Sequence, residues 1–205
     1  SIPAIYDRYL APHFFEPYAE DLGARLRDLS HGVVLEIAAG TGVVTRVLDR
    51  ALPAGVRIVA TDLNDAMLQI ASTRLHSARV TWAQADAQRL PFPDDYFQIV
   101  CVAFGLRNVT DTARGLAEMI RVTRPGGKVA VLEFSMPRNR LFRAVYQMYF
   151  THILPLIGQT LARNKSGAYN YLPASVLEFP DGDAMTELMR REGLRSADWH
   201  ALTFG

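Results

Sequence analysis

Val33-Val34-Leu35-Glu36-Ile37-Ala38-Ala39-Gly40-Thr41-Gly42 runs directly into Val43-Val44-Thr45-Arg46-Val47-Leu48. The short apolar run reads as a strand buried on both faces. It ends on an acid, opens into a glycine turn and gives way to a helical pattern. A strand, a tight turn and a helix N-terminus bring backbone close to a ligand. Glycine tolerates the dihedrals such a turn needs, and the first helical N–H groups lack partners within the helix. Those donors are expected to favour a polar or anionic group. Several classes of nucleotide-binding protein share this turn, so the rest of the chain has to choose the ligand.

After Gly32, strand and helix patterns alternate. Strand 33–37 and helix 43–50 are followed by a turn at Pro53-Ala54-Gly55 and by strand 56–61, which Asp62 closes. Helix 66–75 comes next, with Asn64 or Asp65 able to cap it. Strand 79–83 leads to Asp86 and a loop through Pro91-Phe92-Pro93. Strand 97–103, a helix from about 111 to 122, and a sharp Pro125-Gly126-Gly127 turn into strand 128–134 complete the series. Crossovers of this length require a parallel sheet with helices on both faces. Right-handed crossovers make it doubly wound, with the ligand beyond the carboxyl ends of the strands.

The alternation stops after Met136-Pro137. Residues 138–172 are rich in Tyr, Phe and Leu and read as a helical lid. A helix over 182–192 follows, with Gly193 as its stop, and then a strand near 196–203. Upstream, residues 2–29 read as helix broken at Pro12 and Pro17, with Tyr6 or Tyr9 able to close over a ligand. The whole of 1–205 is read as one domain, with an N-terminal flap over 1–30 and the lid over 138–172.

A chain of 205 residues supports one α/β domain with a full core. A formal net charge of +1 offers no electrostatic reason to expect nucleic acid as a partner. The single Cys101 lies within Ile99-Val100-Cys101-Val102-Ala103 and reads as a core thiol, which suits the cytoplasm. No signal peptide is expected from the N-terminal stretch. Residues 144–162 carry no Asp, Glu, Lys or Arg, yet Gln147, Thr151, His152, Pro155, Gly158, Gln159 and Thr160 interrupt them. A lid lining an apolar pocket is the expectation, rather than a spanning helix. The five His are scattered without ligand spacing, so no metal is expected.

Glu36, Asp62 and Asp86 fall at the ends of three successive strands, which in a parallel sheet line one edge. Asp62 can accept both hydroxyls of a ribose, since a carboxylate has two acceptor oxygens. It lies 20 residues beyond Gly42 (62 − 42), the spacing of a ribose-binding acid. Asp86 is placed to accept from an exocyclic amine such as that of adenine. Glu36 would attract an amino-acid ammonium and repel a pyrophosphate, which weighs against NAD. The plainer alternative makes Glu36 and Asp62 helix caps or members of surface ion pairs.

Glu36-Ile37-Ala38-Ala39-Gly40-Thr41-Gly42 resembles the first motif of class I S-adenosylmethionine-dependent methyltransferases, with Ala38 where many members have a first glycine. Ala60-Thr61-Asp62-Leu63-Asn64-Asp65-Ala66-Met67-Leu68 resembles the second. Four further stretches are similar to the UbiE-like quinone methyltransferases: Asp86-Ala87-Gln88-Arg89-Leu90-Pro91-Phe92-Pro93-Asp94, Phe104-Gly105-Leu106-Arg107-Asn108-Val109, Arg121-Val122-Thr123-Arg124-Pro125-Gly126-Gly127, and Leu132-Glu133-Phe134-Ser135-Met136-Pro137. The likeness continues through His152–Gly158 and Tyr169–Leu172. The N-terminal stretch Tyr6–Pro12 looks more like other small-molecule methyltransferases. The chain also ends at Gly205, where the family continues into a seventh, antiparallel strand.

The resemblance implies a Rossmann-like, mostly parallel sheet, with that seventh strand missing from the C-terminus. It implies S-adenosyl-L-methionine as cofactor and S-adenosyl-L-homocysteine as product. Implied cofactor contacts are Tyr6, Glu36, Ala38, Gly40, Gly42, Thr45, Asp62, Leu63, Met67, Asp86, Ala87 and Ala103. The implied reaction is C-methylation of a prenylated quinol, demethylmenaquinol or a related benzoquinol. Arg107 would stabilise the developing oxyanion, aided by Asn108, and the proton would leave through water, His152 or Tyr146. An ion pair between Arg107 and an acid such as Asp111 is the structural alternative. The expected partners are a hydrophobic small molecule, a membrane surface touched peripherally on its inner face, and a second copy of the chain. Competing readings are a methyltransferase of another small or lipid-like phenol or amine, a dinucleotide oxidoreductase, and a binding module without activity. Titration with S-adenosylhomocysteine separates the first of these from the second.

Overall fold

In the computed structural model, residues 11–137 and 179–203 are described. The chain divides into two compact units, Ser1–Glu133 and Phe134–Gly205. The first carries helix α1 (Ala11–Leu26), β1 (Gly32–Ile37), α2 (Val43–Ala51), β2 (Val56–Asp62), α3 (Asp65–Arg74), β3 (Val80–Gln84), β4 (Phe97–Ala103), α4 (Thr112–Val122) and β5 (Thr123–Leu132). The five strands form one sheet in the order β3-β2-β1-β4-β5, every pair parallel. The strand order reverses between β1 and its neighbour β4, so the chain leaves the sheet in opposite directions on either side of β1. A crevice at the carboxyl ends follows from that reversal.

The core explains why the local patterns hold. β1 is buried along all but its first residue, as a central parallel strand must be. Val34, Val56, Ile58, Ile99 and Cys101 meet Val44, Val47 and Leu48 of α2, and Ala19, Leu22 and Leu26 of α1. On α4, Gly115, Leu116, Met119 and Val122 are buried at helical spacing. Asn64 caps α3 by accepting from the Ala66 N–H, and the Asp111 side chain caps α4 through the Arg114 N–H.

Two local expectations are overturned in this unit. Pro17 does not break the first helix; α1 runs continuously through it. An interior proline costs about 3 kcal/mol, while burying Leu22 and Leu26 contributes roughly 1.5–3 kcal/mol each, so packing wins. Pro12 falls in the first turn, where the missing N–H has no helical role. The Pro125-Gly126-Gly127 turn does not precede β5 but interrupts it. Phe97 pairs with Thr123, and the ladder resumes with Ile99 opposite Lys128. Gly126, at φ +79°, absorbs the extra residues as a bulge.

In the second unit, α5 (Gly182–Arg191) buries Met185, Thr186 and Met189. Its end is a Schellman closure: the Gly193 N–H donates to the Arg190 carbonyl and the Leu194 N–H to the Met189 carbonyl, both at 3.1 Å. The expected strand near 196–203 is absent, and those residues adopt no regular structure. Side chains of α5 take their place as partners. Trp199 Nε1 donates to Asp183 at 2.8 Å and Arg190 donates to the Ala197 carbonyl, which ties the segment back along the helix.

Candidate active site

The carboxyl edge is built from backbone first. Beyond β1 the chain reverses through Ala38, Gly40 and Gly42, at φ +54°, +56° and +78°. Ala38 therefore holds a left-handed conformation that costs a residue with a Cβ roughly 1–2 kcal/mol. Its methyl group also occupies the space above Gly105, where an added Cβ would sit 2.4 Å from it. A Cβ on Gly42 would meet Trp82 at 3.0 Å and Ala71 at 3.1 Å, whereas Gly40 faces open space. The open face of the turn is thus at Gly40.

Two donors of this turn are already engaged within the protein. The Gly40 N–H donates to Asp62 Oδ2 at 2.8 Å and the Gly42 N–H to the Ala39 carbonyl at 2.9 Å. The Asn64 N–H donates to Asp62 Oδ1 at 2.8 Å, and Asp62 so clamps the loops after β1 and β2 together. Each carboxylate oxygen retains a further lone pair, enough to receive a ligand hydroxyl. Asp62 is therefore a loop clamp whose remaining acceptors fit a diol.

Glu36 is neither a helix cap nor a surface ion pair; it is 2% exposed at the end of β1. Burial pushes its carboxyl from 4.5 up to about 8. The Thr45 hydroxyl and Arg46 oppose the rise, and the charge of Asp62 adds to it. Among the described residues neither Glu36 Oε2 nor Thr45 Oγ1 completes a hydrogen bond. The Thr45 hydroxyl lies near enough to be felt without closing a bond of ordinary geometry. Each orphaned polar atom costs about 1–3 kcal/mol. A buried carboxyl that ionises most readily beside a cation, and a hydroxyl next to it, suit an ammonium. On this observation the residues fit the amino-acid end of the implied cofactor.

The other implied contacts fall along the same edge. Leu63, just past Asp62, is 65% exposed despite its size, and Met67, Ala87 and Ala103 are half-buried. Asp86 Oδ1 accepts the Gln88 N–H at 2.9 Å, which shapes the loop after β3 and leaves the second oxygen as the candidate for an amine.

On the far side of β1, β4 ends at Ala103 and Phe104 adopts φ +56°. Its ring is met edge-on by Phe15 and Tyr18 of α1, with centroids 4.6 and 6.3 Å away. Leu106–Asn108 then form a short 3-10 turn. Asn108 is exposed. Arg107 does not pair with Asp111, which is occupied as the cap of α4. Its Nη1 donates to Glu133 Oε1 at 2.6 Å and Oε2 at 3.0 Å. Both side chains are nearly enclosed, 8% and 7% exposed. Burial raises the Glu133 carboxyl to about 6, against the charge and hydrogen bonds of Arg107. Glu133 was not singled out from sequence. The available signal was its position: an acid at the carboxyl end of a strand, as Glu36 and Asp62 are.

Tyr6, Tyr146 and His152, and the lid over 138–172, lie outside the described residues. No group of side chains that could hold a metal ion occurs among the described residues, and none of their helices is long and apolar enough to cross a membrane.

Comparison with known proteins accords with this arrangement. Similar chains include the ubiquinone/menaquinone biosynthesis C-methyltransferase UbiE of Geobacter sulfurreducens, 43% identical over 178 residues, or 85% of this chain and 69% of that protein. The demethylmenaquinone methyltransferase of Deinococcus radiodurans is 44% identical over 174 residues, 84% of this chain and 71% of that protein. A SAM-dependent methyltransferase from Thermotoga maritima shares the fold, with a TM-score of 0.63 at 24% identity over 93% of this chain and 76% of that one. The profile of the ubiE/COQ5 methyltransferase family matches residues 18–205. The chain belongs to the ubiE/COQ5 methyltransferase family.

Proposed function

We propose that this chain is an S-adenosylmethionine-dependent C-methyltransferase acting on a prenylated quinol, demethylmenaquinol or a related benzoquinol, in respiratory quinone biosynthesis. The buried Glu36 carboxyl, whose Oε2 completes no hydrogen bond among the described residues, beside the Asp62 clamp carries the cofactor part of this reading. The relatives at 43% and 44% identity, named for quinone methylation, support the substrate. Glu36 and Thr45 would hold the amino-acid end of the cofactor, Asp62 its ribose, and Asp86 with Leu63 its base. When bound, the cofactor supplies a methyl group on a sulfonium, already activated for displacement. The protein's share is alignment and charge: the acceptor sits where Arg107 can meet a phenolic oxygen as it becomes an oxyanion. An isoprenoid tail keeps such an acceptor in a bilayer, so the chain would touch the membrane peripherally.

The test is methyl transfer to demethylmenaquinol in detergent or vesicles, together with titration by S-adenosylhomocysteine. Saturable binding of the thioether and a product methylated on ring carbon are expected. Methylation on oxygen or nitrogen of an unrelated acceptor, with none on the quinol, would replace the substrate assignment.

A further inference from the structure

Glu36, Asp62 and Asp86 draw the cofactor to the β1-β2-β3 side of the edge, which leaves the ends of β4 and β5 for the acceptor. Two charged side chains stand there, Arg107 and Glu133, joined at 2.6 and 3.0 Å and almost closed off from water. The seat is rigid: the Phe104 N–H donates to the Leu132 carbonyl at 2.8 Å, and β4 and β5 are in register up to Ala103 and Leu132. An arginine meant to stabilise an oxyanion gains nothing from a permanent carboxylate partner, because the pair neutralises itself. The same partner becomes useful if it is where the proton goes. On taking a proton the carboxyl loses its charge and releases the guanidinium to the new oxyanion.

We propose that Glu133 is the proton acceptor of the reaction, paired with Arg107 as an exchange dyad at the acceptor's hydroxyl. This rests on the quinol reading above. The phenolic O–H bond breaks, an O–H bond forms on a Glu133 carboxyl oxygen, and the electron pair left on the phenolic oxygen raises the nucleophilicity of the adjacent ring carbon. After methylation that carbon gives its proton to solvent, and Glu133 returns its own to the ring oxygen. One proton is released overall and the carboxylate is restored. The ordinary value of 4.5 for a glutamate would make it a poor match for a phenol; burial moves Glu133 toward the working range.

Glu133→Gln keeps an oxygen for the guanidinium but cannot take a proton. It should lower turnover on the quinol by about 10²–10⁴-fold, the range of general-base catalysis. The loss should shrink below about tenfold on halogenated hydroquinones, whose hydroxyls ionise unaided. A second readout needs no turnover. With S-adenosylhomocysteine present at pH 6, a bound nitrophenol should absorb as phenolate in both proteins, its proton kept on the wild type but released to the buffer by the variant, where Arg107 is left without its carboxylate. An equal loss on every acceptor, or a neutral nitrophenol spectrum or a proton released to the buffer in the wild type, would overturn the assignment. The wild-type spectrum and proton release, with Glu133→Asp, decide the matter if Glu133→Gln does not fold. A wild type that binds the thioether but methylates no quinol would instead remove the substrate reading, with proton release on nitrophenol binding still testing Glu133.

Discussion

Replacing Glu36 by Gln should stabilise the ligand-free protein at neutral to alkaline pH and weaken cofactor binding. The folded state holds the Glu36 proton up to about pH 8, whereas the unfolded chain releases it near 4.5. Between those limits the folded state binds more protons, so stability falls as pH rises. At 1.36 kcal/mol per pH unit the full interval corresponds to roughly 5 kcal/mol, present below 4.5 and lost by the time pH passes 8. Glu133 acts in the same sense over 4.5 to about 6, and it remains in the variant. The difference between wild type and Glu36→Gln therefore isolates the Glu36 share. Urea unfolding at pH 5, 6, 7 and 8 should show the two proteins close together at pH 5 and diverging by about 1.4 kcal/mol per unit above it, the variant being the more stable. The complementary measurement is S-adenosylhomocysteine binding. An ammonium partner requires the ionised carboxylate, so wild-type affinity should climb toward tenfold per unit between pH 6 and 8, with a flat profile in the variant. Parallel stability curves for the two proteins would show that Glu36 is ionised in the folded state and refute the reasoning.

Gly105→Ala should cost about 1–3 kcal/mol, because its Cβ would sit 2.4 Å from that of Ala38. Adding Ala38→Gly should recover most of that loss, which a double-mutant cycle by thermal unfolding would register as coupling. Asp62→Asn puts an amide NH2 against either the Gly40 or the Asn64 N–H. It should lower stability by roughly 1–3 kcal/mol and cofactor affinity by at least about tenfold, the size of one lost charge-assisted bond, measured by calorimetry. Arg107→Ala should leave thioether affinity near wild type while turnover collapses. It should also destabilise by about 3–5 kcal/mol, because Glu133 is left buried without its cation. Arg107→Lys should recover stability more fully than rate, since an ammonium replaces the charge but not the fork.

Most of the fold was legible locally. Strands at 33–37, 56–61 and 97–103 were read to within a residue or so, because a buried parallel strand is an apolar run whatever surrounds it. The cap at Asn64, one of the two residues offered for that helix, follows from a side chain that reaches its own backbone. The acids at the strand ends were legible too, since the carboxyl end of a strand is a sequence position as well as a place in space. These properties depend on neighbours a few residues apart, and the amino-acid order alone determines them.

The tertiary structure decided what those acids are. Glu36 is enclosed and its Oε2 is left without a donor, whereas Asp62 accepts two backbone N–H groups. The clamp of Asp62 on Gly40 joins residues 22 apart, and the bond of Arg107 to Glu133 joins residues 26 apart. Spacing in the chain could suggest only the nearer Asp111 for Arg107. The order β1-β4-β5 brought Glu133 there instead. Pro17 stayed helical, and 196–203 stayed irregular, for the same physical reason. Local preference sets what a segment favours by a few kcal/mol, and burial or a distant partner of similar size can reverse it.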